Sequence, residues 1–383
     1  MSATDTNPVI ARSRESSGSE PPLRLAVAGG GTGGHLFPGI AIAREWLHRN
    51  PDSRVLFVGT DRPFEKKILA GSGFTHTAIA AAGMKGLGLF KKIRALGCIP
   101  RGIAQAVGIL SRFKPHVVLG VGGYSSGPVA LAARLQRIPV VLHEQNLLPG
   151  ITNRLLARVA RRIYLSFDQT RLARGSAKVL FTGNPVRTEF LSGSTAGKSP
   201  GKPFTVLVAG GSQGAHSINT AVSAALEHLK NPDDLFFIHQ TGATDEQAVA
   251  GTYARQGIAC ELQSFFYDMA ARYHRADLVI CRAGATTVAE VTAMGKAVIF
   301  VPFPFAADNH QVLNARTLVA DGAALMVEEK DLDGKMLAER IDHFYENPGE
   351  LARMAARAAA KGKPDAAKVI VDDIYTLLGH AQA

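Results

Sequence analysis

Cysteine is nearly absent. The three in the chain, Cys98, Cys260 and Cys281, lie far apart and fit neither a disulfide framework nor a zinc site, which predicts a reducing, cytoplasmic setting. No run of about 18 apolar residues occurs, so no segment is expected to span a membrane. Carboxylates are missing from one long stretch: from Lys66 to His143 there are eleven basic side chains and no acidic one. Residues 1–190 carry 26 Lys and Arg against 10 Asp and Glu, or +16; the remainder carries 17 against 22, or −5, and the two sum to +11. Such asymmetry points to an anionic partner for the first half: nucleic acid, an acidic membrane face or a phosphorylated substrate. A generally basic surface is the bland alternative.

What is present is glycine at chosen places. With 383 residues, 46% of them hydrophobic, the chain has enough apolar material for two cores. Residues 1–20, rich in Ser, Thr, Glu and Pro, read as a disordered tail without the apolar core of a signal peptide. Leu25 to Ala28 reads as a buried strand, followed by five glycines among six residues and a helix predicted to start at Pro38 and stop near Asn50-Pro51. A strand, a glycine turn and a helix N-terminus make an anion site. Alone the signal is weak: Gly29, Gly31 and Gly34 satisfy GxGxxG and Asp61 follows a second strand, as a dinucleotide fold would want. The device recurs, however, at Phe204 to Ala215, with a helix carrying Ile218, Ala221, Ala225 and Leu229.

Between these starts lie further strands at Val55–Val58, Thr75–Ile79, Val117–Val121 and Val140–Leu142. Val117–Val121 opens into a third glycine turn, Gly120 to Pro128, where Ser125 and Ser126 are placed to cap a helix or donate to an anion. Val140–Leu142 ends in His143-Glu144-Gln145-Asn146, polar groups at the C-terminal end of a parallel strand, where open α/β sheets bind ligands. Gly83 to Lys92, with Met84, Lys85, Leu87, Leu89, Phe90, Lys91 and Lys92, reads as an irregular loop before a helix from Ile93 to Phe113. Apolar groups beside cations suit a membrane surface, and equally a loop folded under the domain. A linker is expected near 192–203. Beyond it strand and helix alternate to the end, which argues two doubly wound parallel sheets, an α/β fold.

GGTGGH (Gly30 to His35), LGVGGYSSGP (Leu119 to Pro128), HEQN (His143 to Asn146), GNPVR (Gly183 to Arg187), GGSQGA (Gly210 to Ala215) and the Arg282 to Glu290 segment occur in this order. So ordered, the set resembles the MurG family of glycosyltransferases (family 28), from about Leu23 to the last helix. The resemblance implies a GT-B fold: two Rossmann-like domains facing a deep cleft. Residues 21–187 would take the lipid-linked acceptor and residues 188–363 UDP-N-acetylglucosamine, with a last helix, 364–383, crossing back to complete the first domain. It implies an inverting hexosyl transfer, in which the 4-hydroxyl of the muramoyl sugar of lipid I attacks C1 of UDP-N-acetylglucosamine to form lipid II and UDP. That is a step of peptidoglycan synthesis, tied to cell shape and division. No metal or other cofactor is implied. The implied setting is peripheral, on the anionic cytoplasmic face of the inner membrane, with cell-division or elongation proteins as further partners and no nucleic acid.

Residue by residue, the resemblance places the donor at Thr32, Gly33, Gly34, Asn146, Arg187, Ser212, Gln213, Gly214, Phe266, Ala285, Thr286, Thr287, Val288, Ala289, Glu290 and Gln311. Ser212 and the helix N-terminus after Gly214 would hold the leaving diphosphate, Phe266 the uracil through its backbone, Glu290 the ribose diol and Gln311 the sugar. Ser212 as a plain helix cap and Glu290 as an ordinary surface residue are the bland readings. His310 stands where the family often has Gln or a similar polar residue. The acceptor diphosphate falls to Gly31, Thr32, His35, Gly122, Gly123, Tyr124, Ser125 and Ser126, with Met84 to Lys92 on the membrane. His35 is the candidate base, since a histidine near a helix N-terminus is kept neutral; Glu144 or a water is the alternative. The rivals are another GT-B enzyme such as a UDP-sugar epimerase, a nicotinamide dehydrogenase, which leaves the second glycine turn idle, and a nucleic-acid-binding protein, for which no motif is present.

Overall fold

The structure, a computed structural model, describes residues 22–81, 89–173, 176–192, 203–211 and 214–380, with the backbone alone at 89–98 and Ala307. The first sheet has seven parallel strands: β1 (Arg24–Gly29), β2 (Arg54–Gly59), β3 (Thr75–Ala78), β4 (Val117–Gly122), β5 (Val140–Glu144), β6 (Arg162–Leu165) and β7 (Val179–Phe181). Their order is β3-β2-β1-β4-β5-β6-β7. The second has six: β8 (Phe204–Ala209), β9 (Leu235–Gln240), β10 (Cys260–Gln263), β11 (Leu278–Cys281), β12 (Ala297–Phe300) and β13 (Leu325–Met326), in the order β10-β9-β8-β11-β12-β13. The order reverses beside β1 and again beside β8, so each glycine turn opens at a switch point, where such sheets take ligands. Strands buried on both faces read as unbroken apolar runs, and β1 and β4 are that kind.

Helices cover both faces: α1 (Gly33–Arg49), α2 (Pro63–Gly71), α3 (Leu89–Phe113), α4 (Ser126–Leu135), α5 (Ile151–Leu156) and α6 (Thr188–Leu191) in the first half of the chain. Then follow α7 (His216–Ala225), α8 (Glu246–Gln256), α9 (Met269–Arg275), α10 (Ala285–Ala293), α11 (His310–Val319), α12 (Gly334–Glu346), α13 (Pro348–Lys361) and α14 (Ala366–Leu377). The last crosses back to the first sheet. Trp46 and Tyr375 rings pack 4.9 Å apart, Ile370, Val371 and Ile374 join the core of β1 and α1, and Asp373 accepts from Arg162 at 3.0 Å and Tyr164 at 2.9 Å.

Several helix bounds differ from expectation, and the last helix, expected over 364–383, is α14 at Ala366–Leu377. α1 begins at Gly33, not Pro38, because the Thr32 carbonyl already accepts from His35 (3.2 Å) and Leu36 (3.1 Å), so the glycines themselves wind the first turn. Pro38 is therefore interior. α3 starts at Leu89 rather than Ile93, which shortens the expected loop; Met84, Lys85 and Leu87 lie outside the described residues, as do the side chains of Leu89, Phe90, Lys91 and Lys92. α7 ends at Ala225 and leaves Leu229 beyond a single tighter turn. The tail, the linker over 193–202, Ser212 and Gln213 also fall outside the described residues.

Candidate active site

The C-terminal edges of the two sheets face each other, and named contacts join them. Thr286 Oγ1 donates to the Gly34 carbonyl (3.3 Å), Arg187 donates to Glu290 (3.1 Å), and Leu147 N–H donates to Asn314 Oδ1 (3.2 Å). The two glycine turns of the first domain pack backbone on backbone: a Cβ on Gly123 would sit 2.5 Å from the Gly30 carbonyl, and Gly123 has φ +83°. Only glycine permits that approach.

Beneath the first turn lies a carboxylate that sequence reasoning missed. Glu65 is fully buried, and accepts from Gly31 N–H (2.6 Å), Thr60 Oγ1 (2.6 Å) and Thr60 N–H (2.8 Å). The Gly31 N–H, expected at the acceptor diphosphate, is bonded to Glu65 in this structure. The one available signal was position, since Glu65 is the last carboxylate before the acid-free stretch.

His35 stands at the rim of this turn, partly buried, with Thr32 Oγ1 3.0 Å from its Nδ1. A Cβ on Gly122 would lie 3.0 Å from His35 Nε2, so the ring rests on the second turn. Burial, with His310 nearby adding to it, lowers the imidazole to about 4, which keeps it neutral near pH 7. In the tautomer whose Nδ1–H donates to Thr32 Oγ1, the Nε2 lone pair is left to accept a proton.

The two serines of the second turn part company. Ser126 Oγ shares its one hydrogen between the carbonyls of Ala28 (2.6 Å) and Gly122 (2.8 Å), and so staples β1 to β4. Ser125 Oγ, fully buried at the N-cap of α4, has no hydrogen-bond partner among the described residues. Tyr124 is exposed beside it.

In HEQN, Glu144 is buried and takes the N–H groups of Asn146 (3.0 Å) and Gly150 (3.1 Å) and the Asn153 amide (2.9 Å). Burial raises its carboxyl while these donors oppose the rise. Its oxygens hold the loop, an arrangement of a clamp rather than a base. Gln145 bridges Val121 (2.9 Å) and His143 Nδ1 (3.0 Å), fixing a histidine that burial lowers to about 4. Asn146 Oδ1 faces Asn314 Nδ2 at 3.4 Å, across the domain boundary.

On the second domain Gly214 (φ +78°) presses on the chain just after β9: a Cβ there would lie 2.1 Å from the Thr241 carbonyl. Glu290 is buried rather than on the surface, and burial raises its carboxyl against the opposing pull of Arg187. The Arg187 guanidinium lies against the rings of Phe37 (4.3 Å) and Phe190 (4.6 Å), and its Nε has no hydrogen-bond partner among the described residues. Ala285, Thr286, Thr287, Val288 and Ala289 form the N-terminal half of α10 with Glu290 behind them. Gln311 Oε1 accepts from Phe303 N–H (2.9 Å), which leaves its NH2 group for a ligand. Phe266 is buried with its N–H inside the protein. Arg282, given no role of its own from sequence, bonds Ser217 Oγ (3.1 Å) at the start of α7 and pairs with Glu329 (2.6 Å). The chain's one Asp-x-Asp, Asp331 to Asp333, lies elsewhere, where Asp333 caps α12 through Met336 N–H (3.1 Å). Among the described residues no cluster of His, Cys, Asp or Glu is arranged to hold a metal ion.

Residues 25–165 match the model of the glycosyltransferase family 28 N-terminal domain, and residues 205–370 match that of its C-terminal domain. Two relatives are both named UDP-N-acetylglucosamine--N-acetylmuramyl-(pentapeptide) pyrophosphoryl-undecaprenol N-acetylglucosamine transferase. That of Syntrophus aciditrophicus (strain SB) is 46% identical over 357 residues, 93% of this chain and 99% of its own. That of Geobacter sp. (strain M21) is 47% identical over 356 residues, 92% and 96%. The crystal structure of Acinetobacter baumannii MurG superposes with a TM-score of 0.74 at 32% identity, covering 93% of this chain and all (100%) of that one. A UDP-GlcNAc 2-epimerase from Neisseria meningitidis, 17% identical with a TM-score of 0.66 over 92% of this chain and 99% of its own, shares the fold alone.

Proposed function

The chain belongs to glycosyltransferase family 28, and from that premise we propose how its cleft carries out the transfer. It moves N-acetylglucosamine from UDP-N-acetylglucosamine to the undecaprenyl-pyrophosphoryl muramoyl-pentapeptide, lipid I, and so forms lipid II. The observation that carries the mechanism is the placing of His35. Its ring rests on Gly122, beside the N-terminus of α4, where the Ser125 hydroxyl is buried with no hydrogen-bond partner among the described residues. A helix N-terminus with an unused donor suits the acceptor diphosphate, together with the amides of Gly33 and Gly34 at α1 and of Gly123. An acceptor anchored there brings its sugar hydroxyl toward Nε2 of His35. His35 takes the proton as the 4-hydroxyl attacks C1 from the face opposite UDP, which inverts the centre.

On the leaving side charge builds on the diphosphate. The N-terminus of α7 after Gly214, with Ser212 and Gln213, receives it, and Arg282 lies against Ser217 in the same turn. Glu290 accepts from the ribose hydroxyls, Arg187 holds Glu290 and offers its Nε, and the Gln311 NH2 group and Asn146 meet the sugar. These fixed dipoles and cations meet the charge that develops, and the mechanism needs no metal.

A peripheral seat on an anionic membrane face belongs to the same reading, and through it a place in wall growth, cell shape and division. Among the described residues no helix is long and apolar enough to cross a membrane. Leu131 and Leu135 on α4, with Leu148 and then Ile151 and Leu155 on α5, are exposed on packed helices, beside the exposed Arg134, Arg154 and Arg158. Apolar side chains ringed by arginine suit a lipid surface.

The test is transfer from labelled UDP-N-acetylglucosamine to a short-chain lipid I analogue in EDTA. Lipid product is expected, with kcat lowered about 10²- to 10⁴-fold in His35→Ala. Donor binding without lipid product would sink the acceptor assignment, and an unchanged kcat in His35→Ala would sink the base.

A further inference from the structure

A cavity of about 310 Å³, the size of a small-molecule site, lies between α12, α13 and the turn that leads into β13. Leu325 opens β13, so the cavity is at the N-terminal edge of the second sheet, away from the C-terminal edges that form the cleft. Helical spacing builds its walls. Arg340, His343 and Phe344 share one face of α12, and Glu350, Arg353, Met354 and Arg357 share one face of α13. Phe344 and Met354 belong to the core beneath, so the floor is apolar.

Three guanidiniums thus line the cavity against one carboxylate, in a half of the chain where residues 191–383 carry 17 Lys and Arg against 22 Asp and Glu. That carboxylate is already engaged. Glu350 lies 2.8 Å from His343 Nε2 and 3.8 Å from Arg353. Asp321, beside the cavity's Gly322, pairs with Lys361 at 2.7 Å. Arg340 and Arg357 pair with no carboxylate among the described residues. Gly322 makes room for one of them: it has φ +63°, and a Cβ there would lie 2.3 Å from Arg357 Nη1. The guanidinium rests on bare backbone that a larger residue would close off.

We propose that this cavity is a second ligand site, for an organic phosphate, whose phosphate oxygens meet Arg340, Arg353 and Arg357 while its carbon part lies on Phe344 and Met354. Like charges gathered around one cavity repel until an anion enters it. Every strong cation here is arginine, whose planar fork matches phosphate oxygens two at a time. A carboxylate has two oxygens to offer three forks, and a phosphate ester has three. Arginines that only covered the core with their stems would spread their heads into water.

The test titrates the full chain with sn-glycerol 3-phosphate by calorimetry, with thermal midpoints alongside. The wild type is compared with Arg340→Gln, Arg357→Gln and with a charge-matched control, Arg255→Gln, Lys335→Gln, whose side chains are exposed outside the cavity. Phosphate taken up in the cleft is common to all three, so the difference reads this cavity. Saturable binding is expected in the wild type and the control, and binding about tenfold or more weaker in the first double variant, the scale of a lost charged hydrogen bond. Arg340→Lys, Arg357→Lys keeps charge and stem without the fork. It should also weaken binding about tenfold, and this arm stands if the Gln variant fails to fold. Equal affinity in the wild type and both cavity variants, or the same loss in the control, overturns the site. Vesicles containing phosphatidic acid then separate the sources of phosphate. Vesicle binding that falls in the cavity variants assigns the site to a lipid headgroup, and vesicle binding that stays the same assigns it to a free phosphate ester.

Discussion

Thr286 Oγ1 donates to the carbonyl of Gly34 across the domain boundary at 3.3 Å, and Pro38 has no N–H to return to that carbonyl within α1. A proline in a helix interior removes one backbone bond and frees one acceptor. Here the freed acceptor points from the first turn of α1 to the start of α10, the segment assigned to the donor. Thr286→Val should lower kcat/KM about fivefold, the scale of one neutral hydrogen bond, with little change in thermal midpoint. Pro38→Ala returns an N–H to the helix. It should raise the midpoint and lower kcat/KM. Steady-state kinetics with calorimetry on both variants checks the opposite signs, and unchanged kinetics in Thr286→Val would remove the contact from the working cycle.

The strands and turns were legible because each buried parallel strand is a continuous apolar run that stops at glycine, as at Leu25–Ala28 and Val206–Ala209. The start of α1 precedes Pro38 because glycines that suit a turn here also wind the first helical turn, which a preference of proline for the first position does not show. Side-chain commitments were out of reach for a different reason. Ser126 reads as a free hydroxyl until the Ala28 carbonyl, 98 residues earlier, is brought beside it. Glu290 reads as a surface residue on a helix until Arg187, 103 residues away, covers it. Long-range partners leave no periodic trace.

The Arg187–Glu290 pair is mostly buried, at 19% and 8% side-chain exposure, so removing one partner leaves a charge without its counter-ion. Glu290→Ala should cost about 3–5 kcal/mol of stability as well as donor binding. The double variant Arg187→Met, Glu290→Gln removes both charges and should regain most of that stability. It should not regain affinity for UDP, because the carboxylate that meets the ribose is gone. Denaturant unfolding and UDP calorimetry on the three proteins separate the two roles. Recovery of UDP affinity in the double variant would show that Glu290 serves only Arg187.

Three histidines are held neutral by burial: His35 and His143 at about 4, and His239 at about 3, against an ordinary value of 6.5. Because their folded values are depressed, the unfolded chain binds more protons between pH 4 and 6.5. Their contribution is complete above 6.5 and is lost as the pH falls toward 4. From pH 7 to pH 5 each should remove about 2 kcal/mol of unfolding free energy. Urea unfolding at the two pH values checks this, and His239→Gln should lessen the loss by one group's share. Equal stability at pH 7 and pH 5 would contradict the buried, neutral state.

α4 joins the two ends of the proposed acceptor. Its N-terminus carries the buried Ser125 hydroxyl, and its outer face carries Leu131 and Leu135, within the about 15 Å that a ten-residue helix spans. A diphosphate seated at the N-terminus would thus have its lipid chain leave along a surface that already favours lipid. Replacing Leu135 and Ile151 by Glu removes apolar contact and adds charge that anionic headgroups repel. Partition to vesicles of anionic phospholipid should fall about tenfold or more, since burying one such side chain contributes about 1.5–3 kcal/mol. Transfer to a water-soluble acceptor analogue should be unchanged, because neither residue is in the cleft, while transfer to lipid I in vesicles should fall in step with partition. Binding of the wild type should also weaken as salt is raised, through the arginines around the patch. If the double variant partitions as the wild type does, this face is not the one that meets the membrane.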